Sequence, residues 1–267
     1  MRRFNGKRKK SKIKKFSVDI IFTLNFIFMA LPFFYKEDLV ASGMDVVLDE
    51  ATSKHMVQVL RMQPGEHLQL TNGKGILFTA TITDNNRKKC TVSVIQKSEI
   101  TNLKSKISIA ISLIKNNTRF EWFLEKATEI GVTEIIPLVC ERTEKSAFKM
   151  ERMKSILVSA MLQSQQCWLP VLHEPVPFGK LWHPSKTLPS LDSYQQKFIA
   201  HCLDGAKRNL KDMNNESLSS KIILIGPEGD FTPAEIEQAI QHHFIAVSLG
   251  NTRLRTETAG VVSASLM

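Results

Sequence analysis

The chain lacks the residue patterns that would announce a metal centre or a disulfide scaffold. Its four cysteines, Cys90, Cys140, Cys167 and Cys202, are scattered, and no two form a C-x-x-C pair. This excludes a cysteine-based metal or disulfide framework and fits a reducing compartment, hence the cytoplasm. Neither a G-x-x-x-x-G-K-[ST] phosphate loop nor a G-x-G-x-x-G dinucleotide fingerprint occurs. Internal repeats are also missing. Surplus charge is scarce where it would identify a partner: the formal net charge is +10, but residues 1–15 hold nine Lys or Arg and no acid, so everything after Lys15 carries only +1. Net charge alone therefore does not assign the body of the protein to nucleic acid.

One long apolar run is present, "FSVDIIFTLNFIFMALPFF" at 16–34, directly after the basic stretch. Together they imitate a signal peptide or signal anchor. A membrane span needs roughly 20 apolar residues, and this run is short, is interrupted by Asp19 and Asn25, and leads straight into domain-like sequence. Residues 1–30 are therefore read as a leader outside the folded domains, or as a start assigned upstream of the true one at Met29. A membrane role is not expected.

The rest of the chain divides into two parts. Residues 31–100 hold short alternating runs separated by turn residues, Asn72-Gly73 and Gly75, then Asp84-Asn85-Asn86, which reads as a small β-barrel or half-barrel. A short helix is expected in "SKHMVQVLRMQPGE", with His55, Val59, Leu60 and Arg61 before Pro64-Gly65. The polar stretch from Ser98 to Ser105 is the expected linker. Over 101–267 strands and helices alternate, which argues for an α/β domain with a mostly parallel sheet. Phe120, Phe123, Leu124, Ala127 and Ile130 recur at helical spacing, as do Met153, Ile156, Leu157 and Ala160. Both stripes are read as core.

Two stretches share a grammar of apolar strand, glycine, polar loop and helix. In "IGPEGDFTPAEIEQA" (225–239), Gly226-Pro227-Glu228-Gly229 leaves a strand-like run, and Thr232, Pro233 and Glu235 form the signature of a capped helix. In "VSLGNTRLRTETAGVVSASLM" (247–267), Gly250 opens a loop carrying Arg253 and Arg255, and Thr256 opens, as its cap, a helix that begins with Glu257. Glycine lets a ligand lie against bare peptide groups, and in open parallel sheets ligands bind beyond the carboxyl ends of the strands. Two such loops, one βα unit apart, could face one crevice.

These stretches, with "HMVQVLRMQPGEHLQL", "LIKNNTRFEWFLEKATEIGVTEIIPLVCERTEKS" and "ERMKSILVSAMLQSQQCWLPVL" in the same order, closely resemble the bacterial 16S ribosomal RNA uracil-N3 methyltransferases of the knotted SPOUT superfamily. The resemblance implies an N-terminal PUA-like barrel that helps grip RNA, a C-terminal α/β domain threaded as a trefoil knot, and a homodimer acting on 16S rRNA of the small ribosomal subunit. It implies S-adenosylmethionine held by backbone groups of the two loops, namely Ile225, Gly226, Pro227, Glu228 and Gly229, then Leu249, Gly250, Asn251, Thr252, Arg253 and Leu254. His201, at a strand end, would supply a third wall, or be a strand-end histidine without a ligand. No metal is implied.

Uracil N3 becomes nucleophilic only when its proton leaves, so the site needs a group for the developing anion and a proton acceptor. Arg255 is expected to bind a uracil carbonyl oxygen, and Glu257 or a water beside it to take the proton. The competing reading is a structural ion pair between the two, with Glu257 placed favourably at a helix N-terminus. Arg61, Lys115, Arg119, Arg142 and Lys145 match basic positions of the family and are expected to hold RNA phosphates, or to be solvated surface charges. Gln163 and Ser164 are pocket wall or helix surface. Asp230 stands where many family members have glycine, and the chain stops at Met267, about one or two turns short of them. Alternative readings are a SPOUT methyltransferase with another RNA target, a non-catalytic RNA-binding protein, and a membrane-anchored protein resting on residues 1–34.

Overall fold

The computed structural model describes residues 31–100, 105–144, 147–183, 188–205, 207–215 and 217–267. The leader expected at 1–30 and the RNA contact expected at Lys145 lie outside the described residues. Phe33–Met267 form one compact unit.

Alternation of apolar and polar residues produces the first sheet. Strands β1 (Phe33–Tyr35), β2 (Asp45–Val47), β3 (His67–Thr71), β4 (Ile76–Asp84) and β5 (Thr91–Glu99) lie in the order β1-β3-β4-β5-β2. All pairings are antiparallel except β1 with β3. Alternate residues Leu68 and Leu70, Phe78, Ala80 and Ile82, and Val92 and Val94 point to one buried face, shared with Met56 and Leu48. Shifts of register in β4–β5 after Thr79 and Ile82 mark bulges, which bend a sheet around its own core. The expected turn between β3 and β4 is made by Gly73 and Gly75, both at positive φ, and by Asn72, whose side chain accepts from Lys74 N at 2.9 Å. Helix α1 (Glu50–Lys54) begins at Asp49, whose carboxylate accepts from Thr52 N, and continues as a π-helical turn His55–Val59. The Trp168 indole packs directly on Gly75, leaving no room for a Cβ there.

The longer apolar runs become buried parallel strands. β6 (Lys106–Ser112), β7 (Glu134–Val139), β8 (Val171–Leu172), β9 (Val176–Pro177), β10 (Gln196–Ala200), β11 (Arg208–Asn209), β12 (Ser220–Ile225) and β13 (Ile245–Ser248) form the second sheet, in the order β11-β13-β10-β12-β6-β7-β8 with β9 beside β7. Every pairing is parallel. Its helices are α2 (Asn117–Ile130), α3 (Met150–Gln163), α4 (Leu210–Met213), α5 (Pro233–Gln241) and α6 (Thr256–Leu266). This is the α/β domain expected from the sequence. Four of the five stripe residues of α2 are buried, Ile130 being exposed, and Met153, Leu157 and Ala160 bury the matching face of α3. α2 ends at Gly131, whose φ of 99° only glycine adopts readily.

Near the amino ends of β6 and β7 a polar cluster is buried. The Glu134 carboxylate accepts from Ser108 Oγ at 2.6 Å and from the Tyr194 hydroxyl, and meets Lys106 Nζ at 3.1 Å and His173 Nε2 at 2.9 Å. Burial pushes its pKa up, but these hydrogen bonds and the Lys106 charge outweigh it and hold the carboxyl down at about 2. Burial and then the Glu134 carboxylate push the Tyr194 hydroxyl well above its ordinary range. Among the described residues, no helix is long and apolar enough to cross a membrane.

Candidate functional site

Strand order determines where a ligand can sit. β12 lies between β10 and β6, while β13 returns to the far side of β10. The loops leaving β12 and β13 therefore flank the carboxyl end of β10. A cavity of about 650 Å³ opens there, well within the range that holds small cofactors.

Its wall contains most of the residues expected from the sequence. His201 follows β10; Ile225, Gly226, Pro227 and Glu228 come from the first loop; Leu249, Gly250, Asn251, Thr252, Arg253, Leu254 and Arg255 come from the second. Gly229 does not line the cavity. A Cβ at Gly229 would lie 3.3 Å from Cδ of Arg142, on which the loop rests. Cys202, Lys207, Asp230 and Thr256 also line the cavity, and no sequence motif marked them as wall residues. For Lys207, in an aperiodic polar stretch, the sequence offered no signal; Thr256 could have been found as the residue that must meet the first loop if the two loops touch.

The loops are fixed from several directions. Thr232 caps α5 with the expected reciprocal box: Glu235 N donates to Thr232 Oγ1 and Thr232 N donates to Glu235 Oε2 at 2.8 Å. Asp230 adopts φ 63°, the left-handed region that favours glycine. Asp is among the few other residues that tolerate it, and here its carboxylate accepts from Cys202 N at 2.7 Å and Phe231 N at 2.8 Å, so it ties the first loop to the end of β10. Thr256 Oγ1 donates to Gly226 O at 3.0 Å and ties the two loops together. A Cβ at Gly226 would sit 3.1 Å from Phe231 N, and Gly250 has φ 127°. Both positions need glycine, the first for space and the second for conformation.

The helix after the second loop starts at Thr256, with Arg255 as its N-cap, one residue earlier than a Thr256 cap would give. α6 packs against α2, β6 and β12. Gly260 permits that approach, since a Cβ there would fall 2.6 Å from the Phe123 ring.

Arg255 and Glu257 part company. Arg255 is exposed, lines the cavity and has no side-chain partner among the described residues. Glu257 is buried, is not in the cavity wall, and faces α2, where Oε1 lies 3.8 Å from Arg119 Nε while Oε2 has no hydrogen-bond partner among the described residues. The Arg255–Glu257 ion pair offered as the structural alternative is not formed; Arg119 takes that place.

Both ring nitrogens of His201 are buried and have no hydrogen-bond partner among the described residues. Burial and then the Lys207 charge lower its pKa, against an opposing pull from Asp230. Lys207 Nζ donates to His201 O at 3.0 Å and Leu203 O at 2.6 Å, closing the exit of β10. Cys140, behind the first loop, is no nucleophile: burial and then the nearby Glu235 push its thiol up to about 12.

The expected RNA contacts divide likewise. Lys115 is ion-paired to Glu144 at 2.8 Å, both exposed, and Arg142 Nη1 donates to Gly229 O at 2.8 Å. With Arg119 these surround the carboxyl edge of the parallel sheet. Arg61 is on the first sheet's side, exposed and at φ 56°. Gln163 and Ser164 end α3, and Ser164 Oγ donates to Ala160 O; neither lines the cavity.

Comparison with known proteins places this architecture. The family model of an RNA methyltransferase domain matches residues 101–267, and that of an RNA methyltransferase PUA domain matches residues 48–95. Ribosomal RNA small subunit methyltransferase E of Synechocystis sp. is 33% identical over 222 residues, covering 82% of this chain and 71% of that protein. A solved structure of a probable rRNA methyltransferase from Porphyromonas gingivalis is similar with a TM-score of 0.78 at 37% identity, over 88% of this chain and 95% of the other. Ribosomal RNA small subunit methyltransferase E from Neisseria gonorrhoeae, bound to S-adenosyl methionine, gives 0.76 at 27% identity, over 88% and 95%.

Proposed function

Because the chain belongs to the RNA methyltransferase family that includes ribosomal RNA small subunit methyltransferase E, we propose that it methylates N3 of a specific uridine in 16S rRNA with S-adenosylmethionine as donor. The observation that carries the cofactor reading is the cavity itself: two glycine-dependent loops, tied by Thr256 to Gly226, around a space of about 650 Å³ with buried, unpartnered nitrogens on His201. Peptide groups of 225–228 and 249–254 would hold the cofactor, with Gly226 and Gly250 where side chains would intrude or strain. Bound there, the cofactor supplies a methyl group already activated for direct transfer, so alignment supplies much of the rate.

The chain's own residues then divide the remaining work. Arg255, free of internal partners and on the cavity wall, binds a uracil carbonyl oxygen and stabilises the charge that develops as N3 loses its proton. Glu257, two residues further on in the first turn of α6 and outside the cavity wall, takes part in proton transfer through a water beside it. Lys115 and Arg119, at the carboxyl edge of the parallel sheet, hold phosphates, and Arg61 does so from the first sheet's side. Lys145, outside the described residues, is a further expected phosphate contact, and homodimerisation, a trefoil knot and action in the cytoplasm without a metal belong to the same reading.

The test is mass-spectrometric mapping of 16S rRNA from cells with and without the gene. Loss of one N3-methyluridine is expected; an unchanged methylation pattern refutes the proposal.

A further inference from the structure

The loop after β7 meets the first cofactor loop through a contact that phosphate binding does not explain. Its backbone is immobilised: Cys140 N donates to Thr143 Oγ1 at 2.8 Å, Thr143 Oγ1 shares a hydrogen bond with Ser112 Oγ at 2.7 Å, and Glu141 N donates to Glu235 Oε1 at 2.9 Å. Glu235 thus serves two purposes, since its other oxygen closes the capping box of α5. From this fixed base the aliphatic part of Arg142 lies over Gly229, with Cδ and Cβ at 3.3 and 3.4 Å from where a Cβ would stand, and its guanidinium donates to Gly229 O.

We infer that Arg142 is a positioning residue for the cofactor: it holds Pro227–Asp230 in the cofactor-binding conformation from behind, instead of serving mainly as a phosphate contact. The inference rests on the cofactor reading of the cavity. A charge-assisted bond to a loop carbonyl, made by a side chain whose root is already ordered, fixes the loop before ligand arrives, and such preorganisation appears as cofactor affinity. A side chain at Gly229 would press on Arg142 and require it to give by a few tenths of an ångström.

The discriminating experiment measures S-adenosylmethionine binding without RNA, by isothermal titration, for wild type, Arg142→Ala, Arg142→Met and Gly229→Ala. Affinity for a 16S rRNA transcript is followed as a function of salt. Arg142→Ala is expected to raise the cofactor Kd about tenfold, roughly the worth of one hydrogen bond to a charged group. KM for cofactor should rise in parallel, with kcat at saturating cofactor within about twofold and the melting temperature unchanged. Arg142→Met keeps the packing on Gly229 without the donor and should lose most of that factor. Gly229→Ala leaves charge untouched, should weaken cofactor binding, and should add little in the Arg142→Ala background, because the two act through one contact. Unchanged cofactor Kd in Arg142→Ala, with weaker RNA binding and a salt slope reduced by about one, overturns the inference in favour of a phosphate contact. Absence of cofactor binding by the wild type overturns the reading of the cavity, and this inference with it.

Discussion

Glu134→Gln is expected to cost about 3 kcal/mol of stability at pH 7 and to flatten the acid limb of the stability profile. The buried carboxyl is held at about 2 against an ordinary 4.5, and at roughly 1.4 kcal/mol per pH unit that difference is about 3 kcal/mol favouring the folded, ionised state. The sign follows from the depressed value: the contribution is complete above the unfolded pKa near 4.5 and is lost as pH falls toward 2. By pH 3 the wild type should already have lost about 2 kcal/mol of it. Gln cannot ionise, so the variant starts lower and loses none of that amount. Lys106, partly exposed, can rehydrate, but His173 and the Tyr194 hydroxyl remain buried facing an amide. Urea unfolding followed by circular dichroism at pH 7 and pH 3 measures both quantities. A loss well under 1 kcal/mol at pH 7, or an equal loss at both pH values, would refute the assignment of Glu134 as an ionised buried centre.

Other consequences are equally direct. Gly260→Ala should destabilise by about 1–3 kcal/mol, through overpacking against Phe123 and Ile111; an unchanged thermal midpoint would contradict the close helix–sheet approach. Thr256→Val removes the bond to Gly226 O and should weaken cofactor binding several-fold, about 1 kcal/mol, with the fold intact by circular dichroism. Arg255→Ala should lower methyl transfer about 100-fold or more while leaving cofactor Kd within about twofold; near-normal turnover would remove Arg255 from the reaction.

The sequence made some levels of this structure readable and hid others, for physical reasons. Periodicity reports burial, so the stripes of α2 and α3 were legible, and cap chemistry is local, so Thr232-Pro233-Glu235 announced α5 to the residue. Pairing is not local. Nothing in "KIILIG" says that β12 lies between β10 and β6, although that placement puts both glycine loops at the end of β10. The same limit applies to polar contacts. Glu134, Lys106, His173 and Tyr194 are far apart in sequence, and each alone reads as an ordinary surface or strand residue. Glu257 was legible as a helix-terminal acid, but its orientation toward Arg119 instead of Arg255 depends on how α6 packs on α2. The left-handed conformation of Asp230 was not legible from its neighbours, none of which fixes φ; the glycine of the resembling family at that position was the one hint.

The most direct measurement of the central claim is reconstitution. Purified protein, S-adenosylmethionine carrying a labelled methyl group, and small ribosomal subunits from cells lacking the gene are incubated together, and the rRNA is digested for nucleoside mass spectrometry. The account predicts about one labelled methyl per subunit, as N3-methyluridine, and much less with Arg255→Ala. No label, or label in another nucleoside, would contradict it.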